Sequence, residues 1–190
     1  MILNIPIDYN CRSTSHLRYS KIREHAYPFD WTISNLGTIL NLIKSKGEGF
    51  LLDENIRIGK VAFSQTYDND PDQVFMSKNV FDMGTGTLIC HDYPAEGIAF
   101  SKIREKYKKR FNKLEEHLQK ATEINLWTTT AEQYKGFRCL KNFQQYDELA
   151  GRMGFDFDTH CPSDVTIEQV ANYILEEYNM KVINIKHINN

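Results

Sequence analysis

Apolar and polar positions along the chain follow two periods, and the switches between them outline the elements. Ile2 to Ile7 is a short apolar run with Asn4 inside it, closed by Asp8-Tyr9-Asn10, which predicts a buried strand and a turn. Cys11 to about Glu24 lacks Gly and Pro and reads as a helix capped by Asn10 or Ser13. An aromatic loop, Ala26-Tyr27-Pro28-Phe29-Asp30-Trp31, follows, and Ser34 opens a helix with Leu36, Ile39, Leu40 and Ile43 on one face. Gly47 or Gly49 ends that helix. From Phe50 to His91 the period shortens to that of strands: Phe50 to Leu52, Lys60 to Phe63, Gln73 to Met76 and Thr87 to His91.

The longest helical pattern runs from Ala99 to about Ala121, with Phe100, Ile103, Tyr107, Phe111, Leu114 and Leu118 at spacings of three and four. Ile124 to Trp127 is a short strand, Leu140 to Met153 a helix, and Thr166-Ile-Glu-Gln169 a capping box that opens another helix through Val170, Ile174 and Leu175. Lys181 to Lys186 closes the chain as a strand. This order predicts an α/β protein, a single domain over residues 1–190 with a mixed central sheet covered by helices. The middle strands supply the antiparallel pairs of that sheet.

Composition narrows the class of partner. With 23 Lys+Arg against 25 Asp+Glu, a formal charge of -2 excludes a chain devoted as a whole to coating nucleic acid or anionic lipid, and leaves room for a local basic patch. The patch is visible at 102–113, where Lys102, Arg104, Lys106, Lys108, Lys109, Arg110 and Lys113 surround the single acid Glu105. It reads either as a solvated helix face or as a site for phosphate or nucleic acid, with Lys106, Lys108 and Lys109 as its contacts. No basic, apolar and small-residue leader opens the chain and no apolar run is long enough for a bilayer, so neither a secretory signal nor a membrane partner is expected. Four cysteines (Cys11, Cys90, Cys139, Cys161) lie scattered without C-x-x-C spacing, which fits a cytoplasmic, reducing compartment.

Candidate chemistry begins at Cys11, between the first strand and the first helix. Unpaired N–H groups and the helix dipole there favour a thiolate; the competing reading is a small buried apolar residue. A nucleophilic cysteine needs a base from elsewhere in the chain, and among six histidines His91 ends an apolar run beside a loop. His16, His25 and His117 read as surface or rim residues. Cys90-His91 and His160-Cys161 lack the two-residue gap of zinc sites, the carboxylates of 68–72 lack the glycine and glutamate of a calcium loop, and Met83 to Thr87 lacks the Lys-Ser/Thr of a phosphate loop. Neither a metal nor any other cofactor is expected.

The strand leading to Cys11, the helix through Leu17, Pro28-Phe29-Asp30-Trp31 and the strand ending His91-Asp92-Tyr93 together resemble the family of papain-like cysteine peptidases of bacteria and viruses. The likeness covers roughly residues 1 to 120; the approach Asp8-Tyr9-Asn10 departs from the glycine-containing turn usual there. The resemblance implies a papain-like α+β arrangement as the alternative to the mixed sheet, and Cys11 as nucleophile and His91 as base of a cysteine-dependent hydrolase or acyl transferase acting on an acyl or peptide-like substrate. Asp92 or Asp30 would orient His91, Asn10 would add an oxyanion donor, and Trp31 and Phe29 would wall the pocket. The alternatives are a phosphate-ligand protein using the basic helix and a catalytically silent interaction module.

Overall fold

In the computed structural model, residues 1–7, 12–64, 74–89, 92, 100–129 and 164–188 are described. Their elements are β1 (Ile2–Pro6), α1 (Arg12–Tyr19), β2 (Thr32–Ile33), α2 (Leu36–Lys44), β3 (Ile56–Ser64), β4 (Val74–Asp82), β5 (Thr87–Ile89), α3 (Phe100–Lys120), β6 (Glu123–Thr129), α4 (Ile167–Glu177) and β7 (Ile183–Ile188), with one 3₁₀ turn at Asp53–Asn55. The protein is mixed α/β, as expected. Its parallel and antiparallel strands are divided between two sheets, the arrangement nearer to the α+β alternative: a parallel sheet in the order β1-β6-β7 and an antiparallel one in the order β2-β5-β4-β3.

The parallel sheet explains the polar residue inside the first apolar run. Asn4, Asn125 and Asn184 stand in register across β1, β6 and β7. Asn125 donates to Asn4 Oδ1 at 3.1 Å, Asn184 donates to Asn125 Oδ1 at 3.0 Å, and Trp127 Nε1 donates to Asn4 Oδ1 at 2.9 Å. A slip by one residue would break this ladder and turn Leu3, Ile5, Ile124 and Leu126, all buried, away from the core. One apolar cluster joins this sheet to the other, drawing Leu3 and Ile5 from β1, Val80 and Ile89 from β4 and β5, and residues of α2, α3 and α4.

The helices form where the period demanded, with shifted ends. α2 is capped by Asn35, whose side chain accepts from the Thr38 amide; Ser34, expected at that position, instead donates to Thr87 Oγ1 in a buried contact. Its C-terminus is closed by Gly47, which takes φ +79° and donates to the Leu42 carbonyl at 2.8 Å. A Cβ there would lie 2.4 Å from the Phe111 ring, so α3 crosses where only glycine fits. α4 carries the predicted capping box between Thr166 and Gln169. Phe50 to Leu52, expected as a strand, is a turn: Leu51 has φ +60°, its amide donates to Asp82 Oδ2 and its carbonyl accepts from Arg104. Phe50 and Leu51 anchor the turn in the core while Leu52 is exposed, so an apolar run that looked like a buried strand is buried only in part. The 68–72 carboxylates, the predicted 140–153 helix and the His160-Cys161 pair lie outside the described residues.

Candidate functional site

The first strand delivers the chain to the carboxyl end of the parallel sheet. Ile7, one residue past β1, still donates to the Trp127 carbonyl at 2.8 Å, and α1 begins at Arg12. Cys11 and Asn10 fall between these points and outside the described residues. α1 lies against β6: Leu17 is fully buried and the His16 ring stands 5.4 Å from that of Trp127. Ser13, expected as a cap, lies within the helix. It and Thr14 are buried, and neither hydroxyl has a hydrogen-bond partner among the described residues. The described chain thus stops at Ile7 at the end of the sheet where open α/β sheets hold their ligands, and resumes at α1.

The chain then reverses and enters the aromatic loop. Lys21 adopts φ +57°, and the amides of Ile22 and Arg23 both donate to the Leu17 carbonyl at 3.0 Å, which turns Arg23 back over the loop. Arg23 pairs with Asp30, whose side chain is entirely inaccessible to solvent. Asp30 Oδ1 has no hydrogen-bond partner among the described residues. Burial pushes the Asp30 carboxyl up, opposed by Arg23 and, more weakly, by Arg110 and the Tyr27 backbone. The Asp30 side chain is therefore used in a buried ion pair; no cap by it is seen among the described residues. Trp31 follows at φ +63°, a conformation that costs a bulky residue energy and lets the chain turn from Asp30 into β2. Phe29 is buried edge-on against Phe111 at 6.0 Å, and Trp31 is half-buried.

β5 ends at Ile89, so Asp92 has left the strand and the alternation of strand side chains does not constrain it. His91 lies outside the described residues. Both Asp92 oxygens are occupied from α3: Oδ1 by Lys106, and Oδ2 by the Tyr107 hydroxyl at 3.0 Å, with Arg110 3.9 Å away. Arg110 also acts on Asp30, so the two candidate carboxylates converge on one guanidinium. His117, read from sequence as a rim residue, is buried instead. Its Nδ1 shares a 2.9 Å hydrogen bond with the Tyr27 hydroxyl, and its ring stands 4.5 Å from that of His25.

A family model described as "Putative papain-like cysteine peptidase (DUF1796)" matches residues 5–150. The chain belongs to this papain-like cysteine peptidase family. The match spans the Cys11, Pro28-Phe29-Asp30-Trp31 and His91-Asp92 segments and runs about thirty residues past the point where the likeness by motif ends. No curated protein and no solved structure matches the chain. No helix among the described residues is long and apolar enough to cross a membrane, and no cluster of three metal-ligating side chains occurs among them.

Two residues of this family member escaped the sequence reading. Arg23 sat in a weakly patterned helix end, and Arg110 was one cation in a basic run. Neither carries a local signal: Arg23 meets Asp30 only because the connection between α1 and β2 folds back on itself, and Arg110 meets Asp92 from a different segment of the chain.

Proposed function

We propose that the protein is a cysteine-dependent hydrolase or acyl transferase in which Cys11 is the nucleophile, His91 the base and Asp30 the residue that orients the imidazole. The observation that carries this assignment is Asp30 Oδ1, a buried acceptor without a hydrogen-bond partner among the described residues, on a carboxylate that Arg23 holds in place. Asp92 is the weaker orienter because Lys106 and Tyr107 already occupy its oxygens. Buried acceptors are seldom left unpaired, and an imidazole N–H is the donor that the motif pattern supplies.

In this mechanism the imidazole of His91 takes the thiol proton and the Cys11 sulfur attacks the acyl carbon, moving the carbonyl electron pair onto oxygen. Backbone N–H groups at the start of α1 and the Asn10 side chain donate to that oxygen. Collapse of the intermediate expels the leaving group, which takes the proton from the imidazolium and leaves a thioester on Cys11. Water or a second nucleophile, deprotonated by His91, then attacks the thioester and releases the thiol. Trp31 and Phe29 form the apolar wall beside the acyl group.

The test is the rate of iodoacetamide alkylation at each cysteine against pH, read by peptide mass spectrometry. Cys11 is expected to titrate well below the ~8.5 of a free thiol, to return to it in His91→Ala, and to move part of the way in Asp30→Asn. A Cys11 that reacts no faster than Cys90, Cys139 and Cys161 would sink the assignment.

A further inference from the structure

One face of α3 forms a groove that the proposed thiol chemistry does not use. Its volume is about 380 Å³, and among the described residues it is lined by Lys102, Lys106, Lys109, Arg110 and Lys113, with Glu105 as the single acid and Ala26 of the aromatic loop beside them. Lys108, a neighbour in the basic run, is not among the lining residues. The spacings of four, three and four from Lys102 to Lys113 place these cations in one row along the helix. At 1.5 Å per residue the row is about 16 Å long.

We propose that this groove binds a soluble oligophosphate group, carried by a nucleoside or free. Five cations against one acid leave a concentration of positive charge on a chain whose net charge is -2. Internal pairs use part of it, Lys106 and Arg110 facing Asp92, and leave the rest: Lys102 and Lys113 have no ion pair among the described residues, and Lys109 and Glu105 meet at 2.7 Å with side chains 74% and 63% exposed, a contact easily exchanged for a stronger anion. Arg110 is fixed at the back of the row, its guanidinium 5.1 Å from the Tyr107 ring centre and 3.9 Å from Asp92, so the open cations are lysines. A row this long exceeds one tetrahedral anion and suits several linked phosphates, for which lysine ammonium groups act as point charges.

The lining also selects against nucleic acid. Among the described residues it contains no aromatic side chain on which bases could stack, and the groove is small beside the footprint of a nucleic-acid-binding module. Phosphates are what it can read.

Calorimetric titration of the full chain with tripolyphosphate tests the proposal, since it needs no turnover and is independent of the thiol assignment. Saturable one-to-one binding at 50 mM salt is expected, weakened by raising the salt to 200 mM and by tenfold or more in Lys102→Gln/Lys109→Gln/Lys113→Gln. Glutamine keeps helix propensity, and an unchanged far-ultraviolet spectrum and melting temperature establish that the variant is folded. Equal affinity for adenosine triphosphate supports recognition of the phosphates alone, and tighter nucleotide binding supports the same groove with a nucleoside carrier. Absence of saturable binding, equal binding by the triple variant, or tighter binding of duplex DNA at equal phosphate concentration would each overturn it.

Discussion

Replacing Arg23 by Met strands Asp30, a carboxylate with no solvent exposure and one oxygen already unpartnered among the described residues. The stranded group can always escape by binding a proton. With an unfolded-state pKa of about 3.9, that escape costs about 1.4 kcal/mol for every pH unit above it. The charge penalty is therefore capped at about 0.8 kcal/mol at pH 4.5 and about 5 kcal/mol at pH 7.5. Loss of one partner from a buried pair ordinarily costs about 3–5 kcal/mol. Burial already raises the Asp30 carboxyl in the wild type, so part of the cost is present before the substitution. A net loss of about 2–4 kcal/mol is expected at pH 7.5, or about 4–16 °C in melting temperature for a chain of this size. The sign follows from proton counting: the folded-state pKa lies above the unfolded one, so the native variant holds the extra proton. Its stability relative to the unfolded chain falls as pH rises from about 3.9 to the variant's folded pKa. Urea unfolding of Arg23→Met, Asp30→Asn and the double variant at pH 4.5 and 7.5 measures this, with the double variant expected to recover much of the loss at pH 7.5. A penalty equal at the two pH values, or no recovery on adding Asp30→Asn, would refute the picture of a buried, Arg23-dependent carboxylate.

Three other outcomes follow from the packing and the titrations. Gly47→Ala sets a Cβ 2.4 Å from the Phe111 ring at φ +79°, and thermal melts should show a loss of about 2–5 kcal/mol; a neutral variant would mean that α3 does not cross there. Burial, reinforced by His25, holds His117 below its ordinary value, so the native state favours neutral imidazole. Its stabilising contribution is complete above about pH 6.5 and lost as pH falls through that value toward the folded pKa, and His117→Asn should flatten the melting profile over that window. Asn125→Ala removes the central rung of the asparagine ladder and should cost about 1–3 kcal/mol in urea unfolding, where a loss near zero would show that the rung adds nothing to the parallel sheet.

Elements with strong period were legible in advance, and residues defined by distant partners were not. The six apolar positions of α3 and the Thr166 capping box are local patterns, each written within about twenty residues. Phe50 to Leu52 misled because a buried turn and a buried strand share the same apolar run; the left-handed Leu51 is fixed by Asp82 and Arg104, 31 and 53 residues away. Asn4 looked like a flaw in a strand until β6 and β7 supplied matching asparagines. At the candidate site the motifs carried Cys11, Asp30, His91 and Asp92, whereas the arginines that govern the two carboxylates had no pattern to announce them. His117 was misjudged because it lies in a charged stretch, yet the helix turns it toward Tyr27.

The pairing of β1 with β6 also sets a clock. Partners in this pair lie about 121 residues apart in sequence. A ribosome adding about 5–20 residues per second therefore takes about 6–24 s to supply the second strand after making the first. Throughout that interval β1 lacks its β6 partner, and its Leu3 and Ile5 lack the sheet that buries them in the folded protein. The sheet face against which α1 packs is consequently the work of the second half of the chain, and a nascent chain that stops short of β6 has no Trp127 for His16 to meet.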